Sequence, residues 1–365
     1  MSNTVREFID GAESIARGAL DAGCDFFAGY PITPASGILM HMLRELPKVG
    51  GIGIQGEDEI ASMGFCIGAA LGGAKPMTAT SGPGLALYAE NIGVGIMVEV
   101  PLVIVIVQRL GPATGAATAG AQGDVQFIRW GTSGGYPIIA LAPTDAAECY
   151  HLTRRAFDLA QRFRVPVFLA TDKEVVMTTE TVRADAFAAP PADWPTVPRD
   201  EVEPPLVPYT AGNGLLHYTG SSHDEHGFIT KDPQTLDRLN RRLAAKIEDH
   251  ADEIALVRSD LEAGARTLLI SYGVSARSMV EAVQIARRRG QRVSALTIYS
   301  LWPVPERAVR AALAGIDRVV VAELNLGQYR REIERIVGGS AEVAGVHRVD
   351  GELITPQQIL AEVIV

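Results

Sequence analysis

Three polar side chains directly follow predicted buried strands, at Thr33, Ser81 and Arg109. In parallel α/β sheets ligands bind beyond the carboxyl ends of the strands, so these residues are the first candidates for a binding site. Arg109 comes straight after VIVIVQ, and its guanidinium has the fork of N–H donors that suits a carboxylate. An arginine that only pairs with a neighbouring acid would look the same in the sequence. The two interpretations stay open on the residues alone.

The segment YPITPASGILMHML, residues 30–43, contains two prolines that stiffen the backbone around Thr33. It follows the apolar run CDFFAGY, which has the composition of a buried strand. The pattern predicts Thr33 as the N-cap of a helix and Pro34 at its first position, where a missing N–H costs nothing. A rigid helix N-terminus at the end of a strand would suit an anion.

Three acids, Glu57, Asp58 and Glu59, begin the segment GEDEIASMGFCIGAALGG at residues 56–73. Apolar residues at helical spacing follow them, with Ala and Gly between, so a second helix or a partner chain can pack closely. Taken alone, the acids are interpreted as favourable charges at a helix N-terminus.

Two glycine-rich stretches carry weaker signals. TSGPG at residues 80–84 lacks the Lys-Ser/Thr of a P-loop and the spacing of GxGxxG, so phosphate binding is not favoured there. The loop LGPATGAATAGAQGD, residues 110–124, would let the backbone approach a ligand or partner, and it would serve equally as a plain connection.

The histidines His217, His223 and His226 raise the question of a metal. HDEH is not the HExxH pattern, and the setting is a predicted loop. Solvated loop histidines, or contacts with substrate or a neighbouring chain, are favoured, and no metal site is predicted on this chain.

Bulk composition excludes several classes of protein. The net charge is −10 over 365 residues, and no block of Lys or Arg indicates nucleic acid or an anionic membrane surface. Cys24, Cys66 and Cys149 are far apart without a CxxC pair, which excludes a self-contained iron–sulfur site and favours a reducing cytoplasm. No signal peptide is visible, and the aliphatic run at 100–107 is too short to span a bilayer.

Alternating patterns predict an α/β fold in two parts. In residues 1–182 we expect a mostly parallel sheet covered on both faces, with a first helix near 4–22 and a helix from an N-cap at Thr144 to Phe163. Residues 183–232 are a proline-rich linker and polar loop. Residues 233–365 predict a second α/β domain, with a charged helical region at 233–263, a helix capped by Ser275 and a last helix at 356–363.

A set of motifs occurs in order along nearly the whole chain: GYPITPAS, EDEIAS, TATSGPG, ENIG, QRLGPATG, AQGD, WGT and ELNLGQ. Together they resemble the α subunit of thiamine-diphosphate-dependent 2-oxoacid:ferredoxin oxidoreductases, and most nearly the 2-oxoglutarate branch. No single motif would suffice. The resemblance implies a parallel-sheet domain of the pyrimidine-binding type followed by a transketolase C-terminal-like α/β domain.

The resemblance also implies roles for four residues. Glu59 matches the carboxylate that hydrogen-bonds the aminopyrimidine ring of thiamine diphosphate and so assists removal of its reactive proton, and Ser81 is expected in the same cofactor site. Thr33 and Arg109 match the positions that meet the carboxylate of the 2-oxoacid. The prolines would then hold Thr33 still.

The activity that the resemblance implies is CoA-dependent oxidative decarboxylation of a 2-oxoacid, with 2-oxoglutarate giving succinyl-CoA and CO2 and electrons passing to ferredoxin. The chain has no GDG followed by Asn for Mg²⁺ and the diphosphate, and no clustered cysteines. In the family that the chain resembles, a β subunit supplies both, so the resemblance implies Mg²⁺ and [4Fe–4S] clusters on a β subunit, and this chain is expected to be catalytically silent without it. Separate γ or δ subunits and a branched-chain or other 2-oxoacid stay open.

Two rival hypotheses remain. A stand-alone thiamine enzyme of the transketolase type is disfavoured by the missing diphosphate motif. A non-catalytic α/β scaffold is disfavoured because Thr33, Glu59 and Arg109 are all present, although fold alone never fixes function.

Overall fold

The computed structural model describes residues 5–202 and 217–363. Helices and strands alternate through both ranges, and the strands form three sheets. The predicted α/β class is confirmed. Part of the predicted linker, residues 203–216, lies outside the described residues.

The first range holds eight strands and seven α-helices, with two short 3₁₀ helices at Leu46–Val49 and Ala184–Phe187. In chain order they are β1 (Arg6–Ile9), α1 (Gly11–Asp21), β2 (Phe26–Gly29), α2 (Ser36–Glu45), β3 (Ile52–Gln55), α3 (Glu59–Leu71), β4 (Pro76–Thr80), α4 (Gly82–Met97), β5 (Leu102–Gln108), α5 (Val125–Trp130), β6 (Ile139–Leu141), α6 (Ala146–Phe163), β7 (Pro166–Asp172), α7 (Lys173–Met177) and β8 (Glu180–Arg183).

The second range holds six strands and six α-helices. They are α8 (Pro233–Glu248), α9 (Ala251–Ile254), β9 (Val257–Asp260), β10 (Thr267–Ser271), α10 (Gly273–Arg288), β11 (Val293–Ile298), β12 (Ser300–Trp302), α11 (Glu306–Ala312), β13 (Arg318–Glu323), α12 (Arg330–Val337), β14 (Glu342–His347) and α13 (Pro356–Val363).

The largest sheet has seven strands in the order β12-β6-β7-β5-β4-β2-β3. All neighbours in it are parallel except β12, which pairs antiparallel with β6. Strand β5 lies at the centre and is buried along its whole length, as its aliphatic run predicts. The carboxyl ends of β2, β4 and β5 therefore lie side by side at one edge of this sheet.

A five-stranded sheet, ordered β14-β13-β10-β11-β9, forms the core of the second range, and β1 and β8 make an antiparallel ribbon. The strands of the five-stranded sheet are parallel apart from β9, which runs antiparallel to β11. The division into 1–182, 183–232 and 233–365 stays a prediction. Strand β12 lies in the last of these ranges and completes a sheet built otherwise from the first.

Two predicted helices are wrong in extent. The helix expected near 4–22 begins only at Gly11, because Asp10 caps it by accepting from Glu13 N, and the residues before form strand β1. The helical region expected at 233–263 ends at Ile254, and β9 follows it. Strand β9 pairs with β11, so tertiary pairing overrides the local pattern there.

Three predicted N-caps are wrong. Helix α2 begins after Ala35 rather than Thr33, α6 is capped by Asp145 rather than Thr144, and α10 follows Tyr272 rather than a cap at Ser275. The side chains of the last two predicted caps have other partners: Thr144 Oγ1 donates to Glu148 Oε2, and Ser275 Oγ donates to Gln122 Oε1. Gln122 lies 153 residues from Ser275 in the chain, so that partner is invisible to a capping rule, whereas Glu148 belongs to the first turn of α6 itself.

Candidate active site

The four predicted site residues lie at the carboxyl edge of the seven-stranded sheet. Thr33 follows β2, Ser81 follows β4 and Arg109 follows β5, while Glu59 begins α3 directly after the loop that leaves β3. These strands are neighbours in the sheet. The structure thus brings together residues that are widely separated in sequence.

Arg109 is buried and ties two loops together. Its Nη1 donates to the backbone carbonyl of Thr33 at 2.5 Å, and its Nη2 donates to the carbonyl of Thr114 at 3.0 Å. No acid lies within ion-pair distance of Arg109 among the described residues. The simple alternative, an arginine paired with a neighbouring carboxylate, is therefore wrong for the part of the chain that the structure describes.

Thr33 contributes its backbone rather than a helix cap. Its side chain is exposed, and the Thr33–Pro34 peptide bond is cis. The carbonyl of Thr33 accepts from Arg109, so the rigid segment between the two prolines positions a guanidinium.

The three acids near the start of α3 have different environments. Glu57 is exposed, Asp58 caps the helix by accepting from Ala61 N at 2.7 Å, and Glu59 is buried, with 7% of its surface exposed. A surface helix-dipole role therefore fits Asp58 rather than Glu59. A buried carboxyl group at the sheet edge is expensive without a compensating partner, so its position suggests a functional role.

Gly84 in α4 makes room for this carboxyl group. A Cβ at that position would lie 2.9 Å from Glu59 Oε1 and 1.9 Å from Thr80 Oγ1, so any larger residue would displace both. The glycine of the TSGPG motif thus permits close packing of α4 on Glu59. It does not form a phosphate loop in the usual sense, because the motif forms the first turn of α4.

Several buried polar atoms at this edge have no hydrogen-bond partner among the described residues: Thr80 Oγ1, Ser81 Oγ, Arg109 Nε and Asp124 Oδ2. They lie at or beside the carboxyl ends of β4 and β5. Buried polar groups are nearly always satisfied in folded proteins, so unsatisfied ones grouped together are a mark of a ligand site.

Asp124 is the residue here whose importance the sequence did not reveal. Asp124 occupies the N-cap position of α5, yet its carboxylate accepts no hydrogen bond from that helix. Its Oδ2 and Oδ1 atoms lie near Gly82 at the start of α4, 3.5 and 3.7 Å from the position that a Cβ at residue 82 would occupy. Burial raises the pKa of this carboxyl to about 6, and the charge of Arg109 opposes the rise. In the sequence, Asp124 is marked only by its place in AQGD, one of the motifs on which the family resemblance rests.

Gln122, in the same AQGD motif, connects the two large sheets. Its Nε2 donates to Asp172 Oδ2 and to the carbonyl of Tyr272, and its Oε1 accepts from Ser275 Oγ and Leu324 N. Its backbone carbonyl also accepts from Asn325 of ELNLGQ at 2.7 Å. The AQGD and ELNLGQ motifs therefore meet in one polar junction.

A second buried junction lies away from this edge. Lys246 Nζ and Arg242 Nη1, on α8, each donate to the Glu99 carboxylate at 2.8 Å. Lys246 also donates to the carbonyl of Arg164. These bonds fasten α8 onto the loops that lead into β5 and β7.

The loop histidines do not gather into a site. His217 stacks on Phe228 and contacts the carbonyl of Gly227, His223 contacts the carbonyl of Ser221, and His226 is exposed. Among the described residues no group of three or more His, Cys, Asp or Glu could hold a metal ion.

The three cysteines, all buried, are free thiols. As to membranes, every helix within the described ranges falls short of the length and apolarity needed to cross a bilayer.

Family models match most of the chain. Residues 17–241 match the model described as pyruvate flavodoxin/ferredoxin oxidoreductase, thiamine diphosphate-binding, and residues 265–359 match pyruvate:ferredoxin oxidoreductase core domain II. The 2-oxoglutarate synthase subunit KorA of Methanothermobacter thermautotrophicus is 42% identical, with 98% of each chain covered. The ketoisovalerate oxidoreductase subunit VorB of the same organism is 33% identical, over 98% of this chain and 97% of its own.

Two solved structures resemble the fold. The 2-oxoglutarate:ferredoxin oxidoreductase of Magnetococcus marinus, solved with 2-oxoglutarate, coenzyme A and succinyl-CoA bound, superposes with a TM-score of 0.88 at 29% identity. The match covers all of this chain and 65% of that one, so the present chain spans just under two thirds of its length. A split-gene transketolase, described as an inactive β4 tetramer, has a TM-score of 0.55 at 14% identity, covers 96% of this chain and 95% of its own, and shares the fold alone.

Proposed function

Because the chain belongs to the thiamine-diphosphate-dependent 2-oxoacid:ferredoxin oxidoreductase family, as an α subunit, we propose that it serves the oxidative decarboxylation of 2-oxoglutarate. The products are succinyl-CoA and CO2, and the electrons pass to ferredoxin. The observation that carries the proposal is a buried glutamate, Glu59, at the same sheet edge as Arg109, which lacks a carboxylate partner among the described residues.

Glu59, Thr80 and Ser81 fit the pyrimidine end of thiamine diphosphate. The cofactor, when bound, supplies the electron sink that decarboxylation of a 2-oxoacid requires. Glu59 would hold a proton at a ring nitrogen from its buried position, and the unpartnered hydroxyls of Thr80 and Ser81 offer further hydrogen bonds. The tight packing of Gly84 against Glu59 helps to keep the carboxyl group in place.

Arg109 and Thr33 would meet the carboxylate of the 2-oxoacid, and the backbone carbonyl of Thr33 also positions the guanidinium. A guanidinium has five N–H donors, and the two bonds to backbone carbonyls leave others for a ligand. The Nε of Arg109 has no partner in the described part of the chain. A charged, preorganised donor of this kind supplies both affinity and orientation.

A β subunit would complete the site. Beside Glu59, helices α3 and α4 expose the apolar side chains of Ile60, Phe65 and Leu87 next to glycines with open space around them, Gly64 and Gly68. Such a face suits close packing of a partner chain. The β subunit would carry Mg²⁺, the diphosphate site and the [4Fe–4S] clusters, and a cytoplasmic location fits the free thiols.

The substrate is proposed from the named relatives. The relative that is 42% identical is named for 2-oxoglutarate, and the 33% identical relative is named for ketoisovalerate, so a branched-chain 2-oxoacid is the second candidate. Separate γ or δ subunits would account for length that the Magnetococcus chain has and this chain lacks.

The test is reconstitution. The chain is co-purified with the β-type subunit encoded beside it, loaded with thiamine diphosphate and Mg²⁺, and assayed with CoA and a viologen dye. We expect dye reduction with 2-oxoglutarate, weaker reduction with 2-oxoisovalerate, and none from the isolated chain. Reduction by 2-oxoisovalerate alone would transfer the proposal to that substrate. An intact complex that oxidises no 2-oxoacid would favour a scaffold.

A further inference from the structure

A carboxylate that accepts no hydrogen bond from the described residues lies beside the end of β5, where Arg109 also lies. Asp124 N donates to Gln108 Oε1 at 3.0 Å, which fixes the backbone of Asp124 beside the end of β5. Its side chain accepts no hydrogen bond from the described residues, although an aspartate at this position usually caps the helix that follows. The carboxylate is held in place by its backbone and is left free to interact with a ligand.

Arg109 is the charged group that acts on this carboxylate. The two side chains attract each other electrostatically, yet they are farther apart than an ion pair, because no pair of theirs lies within 4.0 Å. Gly82 at the start of α4 and Gln108 at the end of β5, which also lie beside Asp124, carry no charge. Arg109 and Asp124 are thus held near one another, each with a buried unpartnered atom.

We propose that Asp124 is a positioning residue that controls the availability of Arg109 to the substrate carboxylate, taking up a proton from solvent when the 2-oxoacid binds. This inference rests on the proposed function. With Asp124 ionised, the negative charge offsets the guanidinium and repels the incoming carboxylate. With Asp124 protonated, the full charge of Arg109 is available.

The direction of the pH dependence follows from the environment of Asp124. Burial raises its pKa to about 6, so the group titrates just below neutral pH rather than near 4. A bound carboxylate raises that pKa further, because it adds a second negative charge nearby. Binding should therefore weaken as pH rises from 6 to 8, and each binding event should take up part of a proton.

The experiment uses glutarate, which has the two carboxylates of 2-oxoglutarate and no reactive ketone, as a competitive ligand of the assembled complex. Its inhibition constant is measured from pH 6 to 8 in wild type, Asp124→Asn and Asp145→Asn. Calorimetry in buffers of different ionisation enthalpy counts the protons taken up. Asp145 is the matched control, because burial raises its pKa to about 6 as well and its charged neighbours are Glu148, Glu180 and Arg258.

We expect the wild-type and Asp145→Asn constants to rise roughly tenfold across this range, with proton uptake. The Asp124→Asn constant should stay within about twofold and should be lower than wild type at pH 8, since the asparagine keeps the shape and removes the charge. A purely structural role predicts no gain of affinity. If the inhibition constant of Asp124→Asn keeps the wild-type pH dependence, this inference is overturned. Turnover of a 2-oxoacid by the wild-type complex upholds the proposed function in that case. Loss of wild-type turnover with every 2-oxoacid overturns both.

Discussion

The guanidinium of Arg109 donates to the backbone carbonyl of Thr33, 76 residues before it in the chain. The bond crosses from the end of β5 to the loop after β2, over β4, which lies between them in the sheet. Two residues chosen from the sequence for their positions after strands thus meet in the structure. Their contact is the physical basis for treating this edge as one site.

Replacing Arg109 tests the proposed carboxylate contact. Arg109→Ala should lower kcat/KM for the 2-oxoacid by about 100-fold or more, and Arg109→Lys should restore only a small part, because a lysine cannot reproduce a fork of donors. Dye reduction by the complex measures both variants. Circular dichroism and gel filtration should show an intact complex, and normal turnover by Arg109→Ala would remove the assignment.

Replacing Glu59 tests the proton role. Glu59→Gln should lower kcat by about 10²- to 10⁴-fold, because the amide is a poor proton donor and acceptor. Glu57→Gln is the matched control, since Glu57 lies two residues away and is exposed, and its turnover should stay within about twofold of wild type. Equal activity of the two variants would contradict the role proposed for Glu59.

The Gln122 junction should be important for stability. Gln122→Ala leaves buried partners in both sheets unsatisfied, and we expect the free energy of unfolding to fall by about 2–4 kcal/mol. Urea denaturation measures the change. Gln357→Ala on the exposed side of α13 should change it by less than about 0.5 kcal/mol. Similar effects from both substitutions would mean that the junction contributes little.

The Lys246–Glu99 pair should show the cost of a buried charge left without one of its partners. Lys246→Met should destabilise the chain by about 3 kcal/mol, whereas the exposed Lys231→Met should have little effect. Combining Lys246→Met with Glu99→Gln should not recover the loss, because Glu99 keeps Arg242 as a partner in the single variant and the double variant deprives Arg242 of that carboxylate. A double variant clearly more stable than Lys246→Met alone would contradict this explanation.

The buried cysteines predict a loss of stability at alkaline pH. Burial raises the pKa of Cys66 to about 12 and raises that of Cys149 well above its usual value. The unfolded chain ionises these thiols above about pH 8.5 while the folded chain does not, so stability should fall as pH rises beyond that point. Urea midpoints at pH 7 and 10 measure the change. Native protein should resist thiol reagents, and rapid labelling at pH 8 would show that the thiols are accessible.

The sequence predicted much of this edge because its signals are local. Strand ends and the residues directly after them are visible in a pattern of apolar runs, which is why the sequence indicates Thr33, Ser81 and Arg109. Gln122 and Asp124 carry no such local signal, because their significance comes from neighbours on other strands. The capping error at Ser275 has the same cause, since its hydroxyl donates to Gln122, whereas at Thr144 the error is one residue, because the adjacent Asp145 caps α6.

The antiparallel pairing of β12 with β6 has a consequence for biosynthesis. Strand β6 leaves the ribosome long before Ser300–Trp302. The nascent chain therefore carries the seven-stranded sheet with β6 as an unpaired edge strand until most of the polypeptide has been made. An unpaired edge strand can form hydrogen bonds with strands of other chains and so promote aggregation. We therefore expect truncations that stop short of residue 302 to need chaperones or to precipitate, even when they contain every residue of the candidate site.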